Sequence, residues 1–67
     1  MEEFTREELK EALRAISSTI GKCEKALPKL REGSPQHTLT ERRIKALYIA
    51  TALITREMET MYGKEAP

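Results

Sequence analysis

Arg42–Met58 reads RRIKALYIATALITREM, and this stretch decides the fold. Ile44, Ala46, Leu47, Tyr48, Ile49, Ala50, Ala52, Leu53 and Ile54 leave it hardly any polar face. Wound at about 100° per residue, Ile44, Leu47, Ile54, Met58 and Met61 form one stripe. Ala46, Ile49, Ala50 and Leu53 form a second stripe beside it. A helix that is apolar almost all round belongs in a buried place. The chain has 67 residues, too few to cover such a helix twice, so the second stripe is expected to meet another copy.

Upstream of this helix lies its partner. Thr5-Arg6-Glu7-Glu8 matches a capping box, in which the Thr hydroxyl takes the amide three residues on and the Glu reaches back. From there Leu9, Leu13, Ile16, Ile20, Cys23, Leu27 and Leu30 alternate spacings of four and three, an unbroken heptad seam. Pro28 lacks an amide and opposes the carbonyl of Glu24, which predicts a kink or a tightened last turn, not a stop, because the seam runs on to Leu30. Gly33 suits a left-handed C-terminal cap, and Ser34-Pro35 is an N-cap followed by proline at the first helical position. The expected fold is therefore all-α: an antiparallel two-helix hairpin, about 6–31 and 35–62, in one domain over 1–67. Residues 1–4 and 63–67 are expected to fray.

A single core of this size rarely supplies more than about 3–5 kcal/mol without a staple. One cysteine, Cys23, cannot close an intrachain disulfide, and with one histidine it makes a poor metal set. Oligomerisation remains, so the hairpin is expected to build a symmetric helical-bundle homo-oligomer, a four-helix dimer at least, through Ala46, Ile49, Ala50 and Leu53. Charge placement agrees. The turn end gathers Lys22, Lys25, Lys29, Arg31, Arg42, Arg43 and Lys45 against Glu24, Glu32 and Glu41, while the open end is acidic. Two hairpins placed head to tail would set each basic end over an acidic one.

A net charge of +1 gives no global reason for nucleic-acid or membrane binding, and the acidic end cancels most long-range attraction of the basic one. No apolar run of transmembrane length and no charged-then-apolar leader is present, so a cytoplasmic setting is the default. No catalytic constellation is visible: no Gly-rich phosphate loop, no metal-ligand spacing, and no serine or cysteine with a credible base, since His37 is the sole histidine. The chain is expected not to be an enzyme and to need no cofactor. Cys23 reads as a buried structural thiol, and Glu7, Glu8 and Glu11 as a cap and a solvated face.

Ser34–Lys45, SPQHTLTERRIK, departs from local rules. First turns of helices gather acids, yet this one carries His37, Thr38 and Thr40, then Arg42 and Arg43, with Glu41 alone to offset them. Free amides, hydroxyls and guanidinium groups together suit a phosphate or carboxylate. The plainer alternative is that Arg42 and Arg43 lie too far along for the helix dipole to matter, with Glu41 and Lys45 an ordinary i, i+4 pair. Tyr48 and Tyr62 fall near the border between the apolar stripe and water, where they could stack on a base or serve as interface tyrosines.

With a short loop, an apolar second helix and a basic helix start, the chain resembles the small helical-hairpin module of phage-encoded anti-defence sponges. Those proteins sequester cyclic nucleotide immune signals of the bacterial CBASS and Thoeris systems. The resemblance covers Thr5 to Tyr62 and rests on hairpin size and the pattern QHTLTERRIKALYIATALI. It implies a symmetric oligomer, in a host cytoplasm, that binds an anionic nucleotide between protomers without catalysis. It directs attention to Thr38, Thr40, Arg42, Arg43 and Tyr48 for phosphate and base contacts. The alternatives are a coiled-coil adaptor or small inhibitor that docks on a larger protein through the leftover stripe or acidic flank, and nucleic-acid binding through the basic turn end.

Overall fold

A computed structural model describes residues 3–62, and for Tyr62 the backbone alone. The chain forms two α-helices, α1 (Arg6–Ala26) and α2 (Pro35–Tyr62), with a 3-10 turn, Leu27–Lys29, between them. Among the described residues there is no strand. The hairpin packs one helix on the other, giving a slab of 45 × 26 × 15 Å.

Both halves of the capping box are made. Glu8 N donates to Thr5 Oγ1 at 3.0 Å and Thr5 N to Glu8 Oε1 at 2.9 Å. Phe4, expected to fray, occupies the position before the cap, and Leu9 the fourth helical position. The two line a common apolar cleft, a placement that fits a hydrophobic staple and fixes the entry of the chain. Of the other residues expected to fray, Glu3 is exposed and outside the helix, and 1–2 and 63–67 lie outside the described residues.

Helix α1 ends at Ala26, five residues short of the expected boundary. Pro28 offers no amide to the carbonyl of Glu24, so the backbone tightens: Leu30 N reaches Leu27 O at 3.0 Å and Leu30 turns extended. The seam nevertheless continues, for Leu27 and Leu30 are half-buried. The chain then reverses over Arg31–Ser34, closed by Ser34 N to Arg31 O at 3.0 Å. Gly33 sits at φ 88°, and no other described residue except glycine has positive φ, the signature of a type II turn. A Cβ at Gly33 would meet nothing within 4 Å, so its necessity is conformational, not steric. Gly33→Ala is expected to destabilise the hairpin by about 1 kcal/mol, seen as a lower Tm with unchanged far-UV circular dichroism at low temperature; an unchanged Tm would show that the turn does not need this backbone state.

All seven residues of the heptad seam, five in α1 and Leu27 and Leu30 beyond it, face inward, with Leu9 and Ile20 buried and the others half-buried. Opposite them α2 presents His37, Thr40, Ile44, Leu47, Thr51, Ile54 and Met58, again alternating three and four, all half-buried. Thr51 neutralises its hydroxyl within the helix, donating to Leu47 O at 3.0 Å. Met61, expected in this stripe, is exposed because the seam ends at Met58. Leu9 and Ile20 are the only buried residues among those described, so the hairpin's own core is thin. No helix among the described residues is long and apolar enough to cross a membrane.

Candidate functional site

The second stripe of α2 faces solvent. Ile49 is 52% and Leu53 54% exposed, Ala46 is exposed, and Ala50 is half-buried at the stripe's edge. Leu39, seven residues before Ala46 and so two turns away on the same side, is also exposed and lengthens the stripe towards the turn. This face lies roughly 130° around the helix from the one packed on α1. Helix α1 separates its apolar and polar residues sharply and α2 weakly, because α2 carries two apolar faces.

The basic helix start divides between the two faces. Ser34 caps α2, accepting from His37 N at 3.2 Å, and Thr38 N closes the first helical bond to Ser34 O at 3.0 Å. With Pro35 at the first position, Gln36 is left as the first-turn amide outside this scheme. His37 and Thr40 belong to the inward seam. The His37 side chain is only 14% exposed, and its Nδ1 lies 3.7 Å from Glu41 Oε1, an electrostatic neighbour beyond hydrogen-bond length. Thr38, Arg42 and Arg43 are exposed. Thr38 lies on one flank of the outer stripe and Arg43 on the other, while Arg42, seven residues before Ile49, lies in line with the stripe itself. The six residues expected to bind a ligand therefore do not converge within one chain.

Tyr48 bridges the two helices. Its hydroxyl donates to Glu24 Oε2 at 2.7 Å, joining residues 24 apart in sequence, and the ring stays half exposed. The hydrogen bond to Glu24, with the carboxylate's charge and a little desolvation, raises the Tyr48 pKa above 10.0. Raised in the folded state, it contributes stability that is fully present below pH 10.0 and lost as pH rises through the folded-state value. In a Tyr62→Phe background, ultraviolet titration is expected to show Tyr48 ionising above pH 10.0, with Glu24→Gln moving it back down. Coincident titrations would mean that the bond does not persist in solution. The sequence gives little warning of Glu24 as a partner, since nothing local marks it among the lysines of the turn end.

At the open end, Phe4, Glu8, Leu9, Ala12 and Ile54 line a cleft of about 460 Å³. It is apolar apart from Glu8, whose carboxylate holds the cap, so it offers nothing to an anion. Cys23 lies half-buried in the seam as a free thiol. The described residues contain no group of three or more His, Cys, Asp or Glu placed to hold a metal ion.

Fold and site together define a two-helix hairpin with a thin inner seam and a broad apolar face turned to solvent. Comparison with protein-family models, with curated proteins and with solved structures returns no match.

Proposed function

We propose that this chain is a non-enzymatic binding protein whose working unit is a homo-oligomer, assembled over the outer face of α2. One observation carries this reading: Leu39, Ile49 and Leu53 lie exposed with Ala46 on one side of α2, while among the described residues the hairpin buries only Leu9 and Ile20 for itself. Apolar side chains aligned in this way mark an association surface. Covering them supplies burial that the protomer lacks.

The ligand of such an assembly is an anion held where protomers meet, a cyclic nucleotide if the likeness to the anti-defence sponges extends to function. Thr38 and Arg42 support this part of the reading, because both are exposed one to two turns before Ala46, at the end of any contact centred on the Ala46–Leu53 stretch. His37 and Thr40 would act behind them by packing the helix start, and Tyr48 by tying α2 to Glu24.

Native mass spectrometry of protein purified without denaturation tests both parts. A discrete oligomer is expected, with added mass in the nucleotide range or a rise in Tm on adding cyclic nucleotides that Arg42→Ala removes. A ligand-free oligomer indifferent to Arg42→Ala would transfer the function to protein–protein adaptation through the same face. A stable monomer would refute the oligomeric reading.

A further inference from the structure

We propose that the outer face of α2 receives a second copy of this chain running antiparallel, about a two-fold axis beside Ala50. The inference rests on the homo-oligomeric reading and adds to it the occupant of the face, its direction and its centre.

Three features point to this arrangement. First, Arg43 and Glu57, both exposed, lie seven residues to either side of Ala50 and therefore on the same flank of α2. A two-fold axis at Ala50 sets Arg43 of each copy opposite Glu57 of the other, so two ion pairs form symmetrically. A parallel pairing would instead bring Arg42 and Arg43 against the same residues of the second copy, and like charges there are unfavourable. Second, the stripe interleaves small Ala46 and Ala50 with large Ile49 and Leu53, so the side chains of one helix can enter the gaps of the other at an interaxial distance of about 8–10 Å. Third, the Ala46–Leu53 stretch of the stripe is uninterrupted, with Arg42 and Arg43 separating it from Leu39 and Arg56 and Glu57 following it. That pattern fits a contact centred on the helix and bounded by a polar rim. Arg42, in line with Ile49 and one turn before Ala46, lies at the end of this contact and not on the flank that carries the ion pair.

Direction is read by pulsed electron paramagnetic resonance on the full chain, with one nitroxide at Gln36→Cys in a Cys23→Ser background, after circular dichroism has confirmed its helicity. The antiparallel arrangement places the two labels about 40 Å apart, from a rise of about 1.5 Å per residue over twice the span from Gln36 to Ala50. The companion measurement is light scattering across a dilution series. Arg43→Glu is expected to weaken the dimer about tenfold, and Arg43→Glu with Glu57→Arg to restore it. A dimer whose labels lie within roughly 20 Å would overturn the antiparallel inference and leave the oligomer standing, and so would a dimer that ignores Arg43→Glu. A monomer at all concentrations would overturn both.

Discussion

Ile20→Ala is expected to leave the protein largely unfolded a little above room temperature. Ile20 is 7% exposed and sits in the middle of the α1 seam, so truncation removes burial from the centre of the inner core formed by the described residues. Truncations of this kind cost about 2–5 kcal/mol. A core of this size rarely supplies more than about 3–5 kcal/mol. The loss is therefore comparable to the whole stability of the protomer, and a Tm lower by roughly 15 °C follows. The contrast with Ile49→Ala makes the test specific. Ile49 is half exposed, and its truncation is expected to change the folding of the isolated hairpin by less than about 1 kcal/mol. If the two variants melt alike at low protein concentration, the assignment of inner and outer faces on these helices is wrong.

Leu53→Glu is expected to do the reverse, leaving the hairpin folded and taking the assembly apart. Leu53 is 54% exposed in the protomer, so a carboxylate there stays solvated and costs the single chain little. In an assembly built over this face the same carboxylate enters an apolar contact without a partner, once from each copy. The desolvation of two unpaired charges weakens association on the order of a thousandfold. Sedimentation at micromolar concentration should show a monomer with the helical circular dichroism of the parent at matched dilution. An oligomer unchanged by Leu53→Glu would remove the outer face from the interface, and a variant without helicity would place Leu53 in the protomer's own core.

Much of the hairpin was legible in the sequence because its determinants are local. The cap at Thr5 and Glu8, the punctuation at Gly33, Ser34 and Pro35, and the alternating spacing from Leu9 to Leu30 each act within one or two helical turns. The end of α1 was less so. The heptad runs to Leu30 whether the backbone is α-helical or 3-10, so apolar spacing cannot report the change of winding that Pro28 imposes. The inner face of α2 was legible only in its apolar members, Ile44, Leu47, Ile54 and Met58. His37, Thr40 and Thr51 complete its seam, yet they are polar, and an apolar pattern passes over them. His37 and Thr40, expected in the ligand-binding set, are half-buried on this inner face. Leu39 could have been found from its spacing of seven before Ala46. The bond between Tyr48 and Glu24 could not, because it depends on the register with which two helices meet.

The tight reversal at Arg31–Ser34 also sets the order in which the molecule comes together. Residues near the turn, such as Glu24 and Tyr48, meet after closing a short loop, whereas Leu9 and Ile54, which share the open-end cleft, are 45 positions apart. Closing the short loop first makes the long one an extension of structure already formed, so the chain zips from its bend towards its ends and low contact order makes that fast. Opening runs backwards along the same path. Transient excursions are therefore expected to release the start of α1 and the end of α2 while the bend stays closed, with Phe4, which lines the open-end cleft, among the first side chains to part from its neighbours.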